Sequence, residues 1–204
     1  KQISKYKNDG VILIKEAFLP WIEKLKNGFQ KVLNNPSPYG RENISKPQEG
    51  RFFEDYCNWE RIEEFKDFIF NSPAAEIVAQ STQSSKIQVF HEHIFLKELG
   101  TKMETPWHQD LPYYCVDGND TGSFWIPLDN VSKDNCLKVL KGSHKLPMLV
   151  KPTKWSNDSS WYRNNKNFMD VPNIDKNNIF STEMNIGDAI LFNFKVLHSS
   201  SGNS

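Results

Sequence analysis

The 204 residues predict an α+β fold, mainly β, in which helices from the first third buttress a β-sandwich or barrel. Three observations carry this reading. Apolar residues recur at helical intervals before Lys86, and from Lys86 the texture turns to short β-rich runs broken by Gly, Asn and Asp. Fourteen Phe and six Trp suit a compact β-rich core or a lined pocket.

Taken in order, "VILI" at Val11 to Ile14 reads as a short buried strand. "FLPWIEKLKNGFQKVLNN" places Trp21, Leu25, Phe29 and Val32 on one helical face, and "WERIEEFKDFIF" does the same with Ile62, Phe65 and Ile69. In "NSPAAEIVAQ", Ser72 is the expected N-cap and Pro73 the first helical residue. "KIQVFHEHIFLKE" predicts a long strand, followed by strands in "GSFWIPLDNV", "CLKVLKGSH" and "GDAILFNFKVLHSS". The segment from Pro147 to Asn178 is polar, studded with aromatics and poorly periodic, as in a lid or binding loop. No repeat or Gly/Ser-rich linker divides the chain, so residues 1–204 are expected to form a single domain.

The 25 basic and 25 acidic residues cancel, which gives no electrostatic case for nucleic acid or an anionic membrane surface. No apolar run approaches the roughly 20 residues that span a bilayer, and "KQISKYKNDG" has no signal-peptide pattern. Cys57, Cys115 and Cys136 are widely spaced without a CxxC, as expected of a reduced, cytoplasmic protein.

The chemistry centres on "TPWHQDLPY". On a strand, His108 and Asp110 share a face, and an imidazole beside a carboxylate is awkward to bury without a partner. Either the two hydrogen-bond to each other, or a cation sits between them. His198 lies ninety positions on, after a strand-like run that could deliver it to the same place. Two imidazoles and one carboxylate form the facial triad that suits non-haem Fe(II) and leaves positions open for cosubstrate and oxygen.

Together with "FWIPLDNV", "LKGSHK", "GDAILF" and "LHSSSGN", this segment resembles the phytanoyl-CoA dioxygenase family of Fe(II)- and 2-oxoglutarate-dependent oxygenases. The resemblance runs in order from "RFFEDYCNW" to the end of the sequence. It implies a double-stranded β-helix, a cupin-like jelly-roll core with helices packed outside. It implies that His108, Asp110 and His198 bind Fe(II), and that 2-oxoglutarate is contacted by Gln109, Trp125 and Ser200. His93 falls where relatives place another cosubstrate-lining side chain, the alternative being a partly buried strand histidine. The implied reaction is hydroxylation of an unactivated C–H of a small molecule by O2, with release of succinate and CO2. Asp110 stands where related halogenases leave a vacancy for chloride, so hydroxylation is the expected outcome.

The family holds the far carboxylate of 2-oxoglutarate with an Arg roughly ten residues past the distal His, because a guanidinium grips a carboxylate bidentately. The sequence given ends at Ser204, so that Arg and the last strand are expected to follow it. Lys97 and Arg51 are the nearest substitute cations. Cys136 and His144 are expected to be structural. Tyr113 and Tyr114 either edge the pocket or pack beside the prolines, and Trp155, Trp161, Tyr162 and Arg163 could cover it. Two other functions stay open at this point: a non-catalytic jelly-roll binding module, and another metal-dependent cupin-type enzyme.

Overall fold

The computed structural model describes residues 2–43, 49–152 and 168–203, which form a mixed α/β structure. The helices are α1 (Gln2–Asp9), α2 (Ile22–Asn34), α3 (Glu63–Asn71) and α4 (Ala74–Thr82). As the helical spacing requires, α2 buries Ile22, Leu25 and Val32 on one face. That face packs with Ile62 and Phe65 against Phe53, and each such buried side chain contributes about 1.5–3 kcal/mol. At the start of α4 the Ser72 hydroxyl accepts the Ala74 N–H at 3.3 Å, one residue away from the predicted boundary.

The N-terminal strands are β1 (Val11–Ile14), β2 (Arg41–Asn43), β3 (Phe52–Tyr56), β4 (His93–Lys97), β5 (Thr105–His108) and β6 (Ser123–Trp125). Then come β7 (Lys138–Leu140), β8 (Leu149–Val150), β9 (Phe168–Met169), β10 (Ile179–Phe180), β11 (Ala189–Phe192) and β12 (His198–Ser200). They pair as one sheet β1-β11-β6, a second β10-β7-β12-β5, a third β2-β3-β4 and a parallel pair β8-β9, with no closed barrel among the described residues. All four residues of β11 are buried, because the strand is central and covered on both faces. Ile190 and Phe192 join Val11 and Val139 on one side, while Leu191 meets Tyr6, Ile12 and Val78 on the other.

The long strand predicted from Lys86 begins only at His93. Glu92 explains the delay. Its carbonyl accepts the Cys57 N–H at 3.1 Å and its carboxylate accepts the Trp59 N–H at 3.1 Å, which ties the segment to the loop after β3. Of the segment 147–178, the ends are described as β8, β9 and β10 with their connections, while Trp155, Trp161, Tyr162 and Arg163 lie outside the described residues.

Two turns fix the β1–β11 pair. Asp188, buried before β11, accepts the Glu16 and Asn185 N–H groups at 3.0 Å each and meets Lys15 Nζ at 2.7 Å. Gly10, at φ +73°, ends α1 and turns straight into β1; a Cβ there would lie 2.5 Å from both His144 Nδ1 and Val196 Cγ2. Gly10→Ala is therefore expected to cost about 2 kcal/mol, from positive φ and from crowding, read as a lower urea midpoint at unchanged m-value.

Candidate metal centre

β5 and β12 run antiparallel, and their register sets His108 directly opposite His198 and Thr105 opposite Ser200. Three steps along β5 thus match two along β12, a bulge that lets Thr105 serve the same side as the histidines. β5 is an edge strand, which is why it tolerates Pro106. Asp110 reaches the site differently from the alternation the sequence suggests. The strand stops at His108, and Asp110 adopts right-handed helical geometry at the head of a short 3-10 turn, Leu111–Tyr113. Its N–H and that of Leu111 both donate to the Phe194 carbonyl at 3.0 Å, locking the turn against the β11–β12 connection.

The two imidazoles are held in one tautomer. His108 Nδ1 lies 2.8 Å from the Pro106 carbonyl and His198 Nδ1 3.0 Å from the Val196 carbonyl. A carbonyl only accepts, so each Nδ1 carries a hydrogen, and Nε2 is the ring nitrogen that each histidine turns toward Asp110 and can give to a metal. Asp110 Oδ1 is 3.6 Å from His108 Nε2 and 3.4 Å from His198 Nε2, and the three donor atoms all lie within 4.8 Å of one another. Three lone-pair donors converging in a buried place need a cation between them. Burial favours the uncharged form of all three groups. The two imidazoles nevertheless hold Asp110 far below the usual carboxylate range, and Asp110 lifts His198 above its ordinary value. Burial, with His198 alongside, pushes His108 down.

This donor set fits a divalent first-row ion. Adjacent positions on an octahedral ion with bonds of about 2.1 Å are about 3 Å apart, close to the separations found. Two nitrogens and one carboxylate suit ferrous iron and leave the remaining positions to other ligands. Ser123 donates to the second carboxylate oxygen, Oδ2, at 3.2 Å, and the Tyr114 hydroxyl also hydrogen-bonds Asp110. Phe192 packs on His198 at 4.6 Å between ring centroids, and Tyr113 meets His108 edge-on at 6.0 Å.

A cation lies beside Ser200. Lys97 Nζ donates to Ser200 Oγ at 3.0 Å, Thr105 Oγ1 at 3.2 Å and the Ser201 carbonyl at 2.9 Å, and sits 4.7 Å from the Phe52 ring centre. None of these partners is an anion, and burial lowers the ammonium to about 8. Arg51 is instead committed to Glu42, with its Nε 2.9 Å from Oε1. Trp125 shares a face of β6 with Ser123 and packs on the cluster around Val139.

Gln109 and His93 are placed otherwise. The Gln109 amide is bound to main chain, donating to the Lys195 carbonyl at 2.5 Å and accepting the Val150 N–H at 2.7 Å. His93 Nε2 pairs with Glu54 Oε2 at 3.2 Å, and its ring packs on Phe95 at 4.0 Å. Cys136 is fully buried in the core, and His144 bonds the Lys7 carbonyl at 3.2 Å, both in structural roles. Ser123 and Thr105 escaped the sequence reading. The signal for Ser123 was its two-residue offset from Trp125, while the bulge that brings in Thr105 leaves no mark in the sequence.

The chain matches the family "Phytanoyl-CoA dioxygenase (PhyH)" over residues 6–204. No curated protein sequence matches it. Among solved structures it is similar to the "non-heme alpha ketoglutarate dependent carbocyclase SnoK from nogalamycin biosynthesis". That likeness has a TM-score of 0.79 at 16% identity, over 99% of this chain and 77% of the other. The epimerase SnoN, in complex with Fe3+, alpha ketoglutarate and nogalamycin RO, aligns with a TM-score of 0.72 at 14% identity, over 100% of this chain and 77% of the other. EvdO2 from Micromonospora carbonacea var. aurantiaca, complexed with 2-oxoglutarate, gives 0.70 at 16% identity, over 99% and 83%. With a triad able to hold the metal and a family match across nearly its whole length, the chain belongs to the phytanoyl-CoA dioxygenase family of non-haem iron- and 2-oxoglutarate-dependent oxygenases.

Proposed function

We propose that this protein hydroxylates an unactivated C–H bond of a small-molecule metabolite, converting 2-oxoglutarate and O2 to succinate and CO2. The observation that carries the reading is the convergence of His108, Asp110 and His198, with an unneutralised lysine beside Ser200 on the same strand as His198. When bound, ferrous iron and 2-oxoglutarate supply the oxygen activation; the protein supplies placement and exclusion of water. His108 and His198 present Nε2 to the metal, and their Nδ1–H bonds to main chain hold the rings in position. Asp110 completes the set, steadied by Ser123 and Tyr114. Lys97, Ser200 and Thr105 offer an ammonium and two hydroxyls to the far carboxylate of the cosubstrate, and Trp125 walls the space beside it. Gln109 serves from behind by fastening β5 to β8 and to the turn before β12.

The sheets β1-β11-β6 and β10-β7-β12-β5 are read as the two halves of a double-stranded β-helix in one domain. Three free thiols suit a reducing, cytoplasmic setting.

Anaerobic titration tests this directly. Fe(II) and 2-oxoglutarate together are expected to give a weak visible charge-transfer band. In Lys97→Ala the band is expected to need at least tenfold more 2-oxoglutarate, because a buried charge-assisted contact is lost, with Lys97→Arg recovering part of the affinity and Fe(II) affinity unchanged. Absence of the band at millimolar concentrations of both ligands rejects the oxygenase reading; equal 2-oxoglutarate affinity in Lys97→Ala rejects the anchor.

A further inference from the structure

We infer that His91 is a substrate-binding residue of this centre and that its substrate is a neutral, hydroxylated ring compound, an inference that rests on the oxygenase reading above. His91 lies two residues before the start of β4, in the stretch that Glu92 ties down. Its Nδ1 is fully buried and has no hydrogen-bond partner among the described residues. Fixed burial of an unpaired ring nitrogen is a cost without return unless something else satisfies it. Ser37 and Asp55, Glu92 and the loop after β3, and His93 and Glu54 pair off nearby. Of the buried side-chain atoms left unpartnered among the described residues, which include Asn58 Nδ2 and His144 Nδ1, His91 Nδ1 is the one whose ring meets Tyr114 beside the metal donors.

The position points to what fills it. The His91 ring stands perpendicular to Tyr114, 87° between planes and 5.1 Å between centroids. Tyr114 hydrogen-bonds Asp110, so the imidazole sits one ring away from the metal donors. Phe90 lies 4.8 Å from Tyr114, and Phe194 lies 5.1 Å from it on another side. Phe194 in turn holds the Asp110 and Leu111 N–H groups with its carbonyl. A polar nitrogen is thus set among aromatic rings at the edge of the reacting centre.

Chemistry narrows the ligand. A neutral imidazole offers one donor and one acceptor, which a hydroxyl, itself both donor and acceptor, can match. Aromatic rings favour the apolar C–H face of a ring substrate. Among the described residues, the rings around His91 include those of Phe90, His93 and Tyr114, and the carboxylate that acts on it is Asp110, which disfavours an anionic group here. A hydroxyl bound to His91 would hold an adjacent ring carbon near the metal, which ties the residue to regiochemistry.

The test compares wild type with His91→Phe, which keeps the ring and removes its nitrogens, and with His91→Gln, which keeps a donor and an acceptor. Thermal unfolding of the ligand-free protein is expected to rise by a few degrees in His91→Phe, because an unsatisfied group has been taken out of a buried place. A fall of several degrees means the imidazole is structural and overturns the inference. Oxygen-dependent succinate release is then measured with methyl α-D-glucopyranoside, myo-inositol and trans-1,2-cyclohexanediol, against citrate, hexanoate and hexanoyl-CoA. At least one neutral ring compound is expected to raise succinate several-fold over the substrate-free rate in wild type. The same compound is expected to require about tenfold higher concentration in His91→Phe and an intermediate one in His91→Gln. Stimulation by the anionic set alone, by neither set, or equally in His91→Phe overturns the inference. The Fe(II)–2-oxoglutarate band keeps the two readings apart: its presence with no neutral-ring stimulation defeats only the His91 inference, and its absence in wild type defeats the oxygenase reading itself.

Discussion

His198→Ala is expected to abolish iron binding and turnover together. His198 is the centre's inner-strand donor, buried between β5 and β7 and opposite both His108 and Val139. Losing a partner that merely supports a metal ligand costs about 10–100-fold in affinity, so losing the ligand itself should exceed about 100-fold. The measurement is anaerobic Fe(II) titration with 2-oxoglutarate present: the charge-transfer band should be absent from His198→Ala at metal concentrations that saturate wild type. The parallel control is His144→Gln, which alters a histidine bound to the Lys7 carbonyl and should leave the band in place. Ligand-free His198→Ala should stay folded, since the substitution also relieves the crowding of three lone-pair donors. A normal band in His198→Ala would mean that the metal, if bound at all, is held elsewhere.

The largest effect on stability is expected from Asp188→Ala, at about 3 kcal/mol. Asp188 is 1% exposed and accepts two backbone N–H groups, which the substitution would leave unpaired in a buried turn. The Lys15 contribution is small by comparison, because that side chain is 55% exposed and its pairing is screened. Loss of the carboxylate loosens the joint between β1 and β11 on which the core depends. For a domain of this size the change corresponds to a fall of about 6–12 °C in Tm. The effect should depend on pH. Burial raises the Asp188 carboxyl, but Lys15 and the two N–H groups more than reverse this and hold it below its ordinary value. A depressed folded-state value stabilises above the unfolded value of about 3.9 and loses that contribution as pH falls through the folded one. The gap between wild type and Asp188→Ala should therefore be full at pH 7 and narrow below about pH 4. A constant gap down to pH 2 would remove the carboxylate from the explanation.

The parts of the molecule that obey a repeat were readable from the sequence. The face of α2 that buries Leu25 and Val32 follows from a 3.6-residue period, and the burial of β1 and β11 follows from continuous apolar runs. The triad was legible through "HQD" and the distant His198, since a buried imidazole and carboxylate together demand a partner. What escaped was set by long-range pairing. Nothing local announces that Glu92 anchors the loop after β3, so the β-rich run from Lys86 predicts a longer strand than the one that begins at His93. Strand alternation predicts the side on which Asp110 falls, but a helical turn held by the Phe194 carbonyl is what places it there. In "FHEHIF", His93 pairs with Glu54 and His91 borders Tyr114, two placements set by long-range partners that the segment itself does not announce. The resemblance gives Gln109 a place beside the cosubstrate, and no local pattern foretells the bonds its amide makes to the main chain of Lys195 and Val150.

The Nδ1 bonds to the Pro106 and Val196 carbonyls have a bearing on metal selectivity. Because both rings are aimed by the main chain, the three donors stand ready before any ion arrives, and little rearrangement is left to reward one ion over another. Such a rigid face follows the Irving–Williams order, so Ni(II), Cu(II) and Zn(II) should outcompete ferrous iron for it at equal concentration. Occupancy by iron in the cell is then decided by which ions are freely exchangeable there, and protein purified over a nickel resin should carry the wrong ion until it is stripped.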